Sequence, residues 1–468
     1  MQPCVNGSSL KVDLCAASGA YAARKWRKQV DTGIKIANLQ GMPQRATPRV
    51  RRMQITALTL LVISGAVNYV DRATLAIGNP LIRADLHLSV ADMGLLLSAF
   101  LWAYAFAQLP AGGLVDRFGP RRLLGAGILL WSLAQGFTGL CANFGQFVFG
   151  RAILGFGEAP QFPTGARVVR DWFNVRGRGT ATGVFNCSST LGTAIAAPLL
   201  TVIMLEVGWR WMFGIMGIAG VAVAIAWVLL YRDPASMALT PAEDTYRSEG
   251  DETGEAARVT FSEWRRLFGC ATTWGMIVGF FGVIYLTWVY TAWLPGYLEM
   301  QRHMAIRAAG FASAVPFIAG VIGGLFGGWL TDWLMERGLS PINSRRYPMT
   351  VSLLGMAACT VAAALVASNT LAVVLISAAM FLGYVASSSA WAMASVAAPA
   401  NTTASLGAMQ NFGGYLGGAL APMVTGFIVQ ASGSFVPALM TAAAVAVVCA
   451  IGYFVIIRHP ITAADIGG

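Results

Sequence analysis

The stretch GGLVDRFGPRR, residues 112–122, and its counterpart GGWLTDWLMERG, residues 327–338, decide the fold. Each stretch follows an apolar run and contains the pattern Gly-x-Leu-x-Asp, which ends at Asp116 in the first copy and at Asp332 in the second. Nearly half of the 468-residue chain separates the two aspartates. A motif that returns at the same place in each half predicts an internal repeat, and therefore two halves of similar architecture.

Apolar residues dominate on both sides of these motifs. The chain is 56% hydrophobic and 11% charged, with a mean hydropathy of +0.62. A soluble protein carries about 25% charged residues, so the composition excludes a globule surrounded by water. A helix needs about 20 apolar residues to cross a bilayer, and the hydropathy pattern predicts an all-α membrane protein with twelve transmembrane helices in two six-helix halves. The predicted spans are 55–79, 91–113, 121–141, 144–168, 178–204, 210–231, 271–297, 307–331, 348–368, 370–395, 401–430 and 434–457.

A polar stretch separates the two sets of spans. It contains EDTYRSEGDETGEAAR and then the amphipathic FSEWRRLF, which predicts a cytoplasmic linker over residues 232–270. Within the N-terminal tail, Met42 opens a short basic leader, and we expect translation to begin there. Around the linker, the predicted parts are a basic tail (1–54), a first half (55–231), a second half (271–457) and a C-terminal end (458–468).

Basic residues predict the orientation. The net charge is +11, and the loops after spans 2, 4, 6 and 8 carry more arginines than the loops on the opposite side. Positively charged loops stay in the cytoplasm, so we expect both termini to be cytoplasmic. We also expect the protein to be a monomer and to lie in the inner membrane. This distribution differs from the basic stripe of a nucleic-acid-binding surface, and no nucleic acid partner is expected.

Residues that hold metals or perform covalent catalysis are sparse. The seven cysteines contain no CxxC pair, and His87, His303 and His459 lie at the ends of spans. We therefore predict no metal site and no cofactor. A membrane-embedded enzyme would need a nucleophile with a base or a metal cluster, and a membrane sensor would need a larger output domain than the linker provides. Both classes are disfavoured.

Four ionisable side chains lie inside predicted spans of the first half: Asp71 and Arg72 in span 1, and Arg151 and Glu158 in span 4. A charge at the centre of a membrane helix costs about 2.5–3.5 kcal/mol on insertion scales, so each is a candidate functional residue. Residues 347–457, by contrast, contain no Asp, Glu, Lys or Arg. We expect the two arginines to form a cationic pocket, because guanidinium groups hold carboxylates bidentately and stay charged. The alternative is that the four charges pair only to hold helices together.

Several motifs together resemble a known transporter family. Besides the loop motif at 112–122, they are NYVDR (68–72), RAILGFGEAPQFP (151–163), WLPGYL (293–298) and Gln410–Asn411–Phe412. Over residues 50–458 the chain resembles the major facilitator superfamily and, within it, the anion:cation symporter family. Members of that family include proton-coupled importers of galactonate, glucarate and hexuronate, and carriers of aromatic and dicarboxylic acids. The resemblance implies a small organic anion as substrate and the proton as coupling ion.

The resemblance also implies roles for individual residues. Glu158 and Asp71 match the protonation positions of the family, and Ser389 and Gln410 add neutral groups that suit a hydroxyl-rich ligand. The alternatives are that Asp71 bonds within its own helix, that Trp391 anchors at the lipid interface, and that Ser389 hydrogen-bonds only its own helix. The positions that match substrate-binding residues are Tyr69, Arg72, Tyr104, Arg151, Trp391 and Asn411.

Glu158 is expected to link protons to substrate. It lies two helical turns from Arg151, on the same helix face. A bound anion would cancel part of the arginine field and make protonation of the carboxylate easier. We therefore predict Glu158 as the substrate-linked proton site and Asp71 as a second proton site that gates the cycle.

The charges of the loop motifs are expected to gate the conformational change. They are Asp116, Arg117, Arg121 and Asp332. Asp116 is expected to hold the N-terminus of another helix and a neighbouring arginine in one conformation. The alternative is that these charges only fix the topology.

The predicted function is import of an organic anion, a sugar acid of the galactonate, glucarate or hexuronate kind, by proton symport through alternating access. Two departures from the family pattern favour an alternative. Ser189 stands where sugar-acid carriers have Gln, and Tyr415 stands where Asn is frequent. Both changes remove an amide from the expected pocket, which favours aromatic or dicarboxylic acids such as phthalate, hydroxyphenylacetate or tartrate.

Overall fold

The computed structural model describes residues 46–249, 261–398 and 402–466. Within these ranges the chain is helical and contains no strand. The expectation that translation begins at Met42 concerns a residue outside them.

The first half is built from six helices, which differ from the predicted spans at two places. These helices are α1 (Pro48–Leu86), α2 (Val90–Phe118), α3 (Pro120–Thr138), α4 (Phe144–Glu158), α5 (Gln161–Trp172) and α6 (Val175–Leu230).

Two backbone features account for the differences. The predicted fourth span is two helices, because Pro160 has no amide hydrogen to continue the hydrogen-bond ladder that ends at Glu158. Predicted spans 5 and 6 are two helices that α6 joins under one label, and they meet at Gly208, where φ is 84° and ψ is 162°. Glycine adopts a positive φ without the steric cost that a Cβ imposes, so the chain changes direction there without a loop.

The described part of the linker contains two short α-helices, six long helices form the second half, and a last short helix follows. The linker helices are α7 (Pro241–Ser248) and α8 (Phe261–Leu267). The others are α9 (Ala271–Met300), α10 (Ile306–Glu336), α11 (Asn343–Leu365), α12 (Asn369–Ala397), α13 (Thr403–Ser432), α14 (Phe435–Ile456) and α15 (Ala463–Ile466).

Nine helices in the described ranges are long and apolar enough to cross a membrane. This set counts α6 once, although Gly208 divides it, and leaves out α3 and the interrupted pair α4–α5. With these three spans included, the chain has the twelve that the sequence predicts.

Local capping sets where the helices that carry the site begin. The hydroxyl of Thr47 accepts a hydrogen bond from the amide of Val50, so α1 begins at Pro48. Helix α1 therefore begins within the predicted tail, and the boundary of that tail at residue 54 stays a prediction. Helix α2 follows a capping box, in which the Ser89 hydroxyl accepts from the amide of Asp92 and the Asp92 carboxylate accepts from the amide of Ser89.

The linker helix α7 is attached to the first half. The Thr47 hydroxyl donates to Oε1 of Glu243 (2.7 Å), and Arg247 donates to the carbonyl oxygen of Asp171 (3.2 Å). We name the end of the molecule that carries these contacts the linker side, and the opposite end the far side.

The two halves are sealed against each other on the far side. Helix α2 packs on α13, α6 on α10 and α1 on α9. The amide of Val90 donates to Oε1 of Gln430 across this interface (3.1 Å). A Cβ on Gly94 would lie 2.7 Å from the carbonyl oxygen of Pro422, so only glycine lets α2 and α13 approach this closely.

On the linker side, glycines of both halves border open space. At Gly112 and Gly113 of α2 and at Gly328 of α10, an added Cβ would meet no heavy atom of the described chain within 4 Å. The side chain of Asp116, at the same end of α2, is 70% exposed. The space between the halves therefore opens toward the linker side.

Gly94→Val is expected to shift the protein toward a conformation that is open on the far side, because the valine side chain cannot fit against Pro422 while the seal is closed. Spin labels at Leu140 and Leu365, which are exposed beyond α3 and at the end of α11, should report a new population at longer distance. Gly136→Val is the matched control, because its Cβ meets nothing within 4 Å. If Gly94→Val leaves the distance distribution as it is in the control, the seal does not depend on this contact.

Candidate functional site

A cavity of about 550 Å³ lies between the two halves. Its volume is within the range of about 300–1,000 Å³ that small-molecule sites occupy. Both halves contribute side chains to its wall, so a ligand in the cavity contacts both. Among the polar and aromatic lining residues are Tyr69, Arg72, Trp288, Tyr384, Trp391 and Asn411.

Arg72, which lines the cavity, forms a buried ion pair with Glu158, which lies behind the lining. Nε of Arg72 donates to Oε2 of Glu158 over 2.7 Å, and the two side chains are 6% and 0% exposed. Glu158 is the last residue of α4, where the helix dipole is negative and disfavours a carboxylate. The guanidinium group of Arg72 therefore offsets both the desolvation of Glu158 and the unfavourable dipole of α4, the helix that carries Glu158.

Aromatic rings surround the guanidinium group of Arg72. Its Cζ lies 4.7 Å from the ring centroid of Tyr69, 4.7 Å from that of Tyr104 and 5.1 Å from that of Phe100. Cation–π contacts of this kind stabilise a desolvated guanidinium by about 2 kcal/mol. The rings hold Arg72 in place while leaving it at the surface of the cavity.

Arg151 and Asp71 lie behind this wall, outside the cavity lining. The Cζ of Arg151 is 5.1 Å from the Phe100 centroid, so both arginines contact the same ring. Nε and one terminal nitrogen of Arg151, and both carboxylate oxygens of Asp71, are buried without a hydrogen-bond partner in the described ranges. The predicted cationic pocket is thus divided: Arg72 faces the cavity, and Arg151 faces the interior beside Asp71.

The predicted residues of the second half are also divided. Trp391 and Asn411 line the cavity. Ser389 does not line the cavity. Its hydroxyl donates to the carbonyl oxygen of Val385 in its own helix (2.9 Å), which is the alternative that the sequence left open for this residue. The amide group of Gln410 is buried outside the lining and has no hydrogen-bond partner in the described part of the chain.

Tyr104 does not line the cavity, but it contacts two residues that do. Its hydroxyl accepts a hydrogen bond from Nε2 of Gln108 (3.0 Å), and its ring centroid lies 5.0 Å from that of Tyr415. Gln108 and Tyr415 both line the cavity. Gln108 is a residue that we did not select from the sequence, although an isolated glutamine inside the apolar run 91–113 was a usable signal.

Three lining residues of α9 were also not selected. Thr287, Trp288 and Thr291 contribute two hydroxyl groups and an indole to the wall. The hydroxyls are one helical turn apart and therefore on one face. Each donates to a carbonyl oxygen of its own helix, Thr287 to Val283 (2.8 Å) and Thr291 to Thr287 (2.9 Å), which is the usual behaviour of threonine in a membrane helix and gives no signal in the sequence.

The charges of the first loop motif form a cluster at the linker side. A terminal nitrogen of Arg167 contacts Oδ1 of Asp116 (2.5 Å), and Nε of Arg167 donates to Asp171 (2.9 Å). Arg121 donates to the carbonyl oxygen of Val228 near the end of α6 (2.7 Å), and Arg117 lies over the ring of the adjacent Phe118. Arg167 is the partner of Asp116 that the sequence did not reveal.

The repeat of this cluster in the second half is incomplete. Asp332 is exposed and forms no ion pair with any residue in the described ranges. The Gly-x-Leu-x-Asp pattern is therefore repeated in sequence, whereas the ion pair is present only in the first half of this conformation.

Arg72→Met is expected to destabilise the protein by about 3–5 kcal/mol, because it leaves the Glu158 carboxylate buried without its cation. The double variant Arg72→Met/Glu158→Gln should recover at least half of this loss, since no uncompensated charge remains. The measurement is the melting temperature of the purified protein in detergent for the two single variants and the double variant.

The control for this cycle is Asp244→Asn, which breaks the exposed pair with Arg247. It should cost no more than about 1 kcal/mol. Additive effects of the Arg72 and Glu158 substitutions would show that the two groups are not coupled.

Comparisons with known proteins identify relatives of this chain. The chain is 42% identical to a probable L-galactonate transporter of Escherichia coli (strain K12), over 90% of this chain and 93% of the relative. It is 33% identical to a probable galactarate/D-glucarate transporter of the same strain, over 86% and 92% of the two chains.

Solved structures show the same fold. A bacterial homolog of the human lysosomal transporter Spinster, in an inward-facing and unoccupied conformation, superposes with a TM-score of 0.74 at 19% identity and covers 88% of this chain and 97% of its own. The family model of the Major Facilitator Superfamily matches residues 61–422. The family that the motifs indicated is confirmed: this chain belongs to the major facilitator superfamily, and its fold is the twelve-helix fold of that superfamily of membrane transporters.

Proposed function

We propose that this protein imports a sugar acid together with protons by alternating access. The single observation that carries the proposal is the ion pair of Arg72 and Glu158 at the wall of a cavity between two halves. Arg72 can bind either the carboxylate of Glu158 or the carboxylate of a substrate. The protonation state of Glu158 determines which of the two carboxylates it binds.

The proposed cycle begins with the cavity open to the far side. Protonated Glu158 leaves Arg72 free to bind the carboxylate of the substrate. The halves then rock, and the cavity opens to the linker side. Loss of the proton there restores the pair of Arg72 and Glu158 and displaces the substrate, so the conformation described above, open to the linker side with the pair formed, corresponds to the state after release.

Asp71 is the proposed second proton site. Its carboxylate is buried beside Arg151 and has no hydrogen bond within the described ranges. Because Asp71 lies behind the cavity wall, its proton would be exchanged at a different step from that of Glu158. This separation suits a role in gating rather than in binding.

A sugar acid is the proposed substrate because the relatives named above carry sugar acids and because neutral hydrogen-bonding groups face Arg72 across the cavity. Thr287, Thr291, Ser387 and Asn411 line it from the second half. Aromatic acids are the second candidate, and the rings of Trp288, Trp391, Tyr384 and Tyr415 in the same wall favour them.

The remaining features of the proposal concern the membrane and the moving parts. We place the protein in the inner membrane as a monomer, with both termini and the linker side in the cytoplasm. Residues 55–231 and 271–457 are the proposed rocking halves. The contact of Asp116 with Arg167 is the proposed gating element, which changes when the linker side closes.

Glu158→Gln is expected to lose uphill, proton-driven uptake of galactonate while retaining counterflow. Glutamine keeps the size and hydrogen bonding of a protonated glutamate but cannot release a proton, so exchange of bound substrate remains possible and accumulation does not. The measurement is counterflow beside proton-driven uptake in the same proteoliposomes.

The matched control is Glu206→Gln, which removes an exposed acid from α6 and should leave both activities intact. Normal proton-driven accumulation by Glu158→Gln would eliminate Glu158 as the coupling residue. A sodium gradient that replaces the proton gradient in the unmodified protein would overturn proton symport itself.

A further inference from the structure

The cavity wall carries one formal charge. Among its lining residues in the described ranges, Arg72 is the one ionisable group that is charged at neutral pH. The other polar lining groups are neutral hydroxyls, amides and the indoles of Trp288 and Trp391, and both halves contribute such groups. A ligand in this cavity therefore meets a cation at one place and neutral hydrogen-bonding groups elsewhere.

The second arginine of the site adds no charge to the cavity wall. Arg151 lies outside the lining, next to Asp71, and is 2% exposed. It contacts Phe100, whose ring also contacts Arg72. A carboxylate group in the cavity cannot bond Arg151 without displacement of this buried wall.

Among the described residues, the second half contributes no cation to the cavity lining either. Residues 347–457, which include the cavity-lining parts of α12 and α13, contain no Lys or Arg. The groups that face the cavity there are Tyr384, Ser387, Trp391, Asn411 and Tyr415. They can hydrogen-bond hydroxyl groups, but a carboxylate placed among them would lose hydration without gaining a cation, which is costly.

We propose, on the basis of the proposed function, that this site selects acids with one carboxylate and a neutral polyhydroxyl chain over the corresponding diacids. The single carboxylate binds Arg72 while Glu158 carries the proton, so the loaded site is electrically balanced. The hydroxyl chain extends toward the neutral wall of the second half. A diacid of the same length differs only by a carboxylate in place of the terminal CH₂OH group, and that second charge has no partner in the cavity.

Matched pairs of compounds test this selectivity. The purified full-length protein is titrated with galactonate, in both enantiomers, and with galactarate, and in parallel with gluconate and glucarate. The readout is the dissociation constant from ligand-induced shifts in melting temperature. We expect each diacid to bind at least about tenfold more weakly than the better monoacid of its pair. Galactitol, which has the hydroxyls and no charge, should bind more weakly than galactonate because it cannot use Arg72.

A charge added to the second half gives an independent test. Ser387→Lys places an ammonium group on the neutral wall, and it should narrow the preference for galactonate over galactarate at least about threefold, because the second carboxylate gains a partner. Ser395→Lys is the matched control on the same helix, at an exposed position outside the cavity lining, and should leave the preference unchanged.

The outcomes separate this inference from the proposed function. Equal binding of galactonate and galactarate by the unmodified protein overturns the proposed selectivity but does not contradict sugar-acid transport. This outcome does not depend on whether the Ser387→Lys variant folds. Binding of aromatic acids with no binding of either sugar-acid pair overturns the proposed substrate class, and this inference with it.

Discussion

The buried ion pair of Arg72 and Glu158 is the interaction on which the rest of the structure depends. Two charges that are removed from water are tolerated only while each has a partner. Here Arg72, which lines the cavity between the halves, is paired with Glu158 behind the lining. In the proposed mechanism the same constraint couples substrate to proton. A substrate carboxylate can replace Glu158 at Arg72 only if Glu158 becomes neutral.

Close helix packing makes this arrangement possible. A Cβ on Gly155 would lie 2.5 Å from the carbonyl oxygen of Phe100, so α4 approaches α2 closely enough to place Arg151 over the ring of Phe100. A Cβ on Gly192 would lie 2.6 Å from the carbonyl oxygen of Ala66, and α6 therefore packs tightly on α1, which carries Arg72. Small residues at helix contacts are the usual means of close approach in membranes, and here they determine where the charges meet.

Much of this could be predicted from the sequence, because hydropathy and isolated charges are local signals. The twelve spans followed from apolar runs, and Asp71, Arg72, Arg151 and Glu158 stood out because charges in such runs are rare. The side of the wall that each arginine occupies could not be predicted, since it depends on how α2 and α4 pack around Phe100. The contact of Asp116 with Arg167 was missed for a similar reason: it joins α2 to α5 across a break at Pro160, which the hydropathy pattern does not show.

The central claim is that substrate and Glu158 compete for Arg72, and calorimetry of galactonate binding in buffers of different ionisation enthalpy tests it most directly. The dependence of the binding heat on the buffer gives the number of protons taken up with each ligand. The account predicts uptake of about one proton per bound galactonate by the unmodified protein, at a pH where the unliganded pair is ionised, and no uptake by Glu158→Gln. Binding of galactonate without proton uptake, or equal uptake by both proteins, would contradict it.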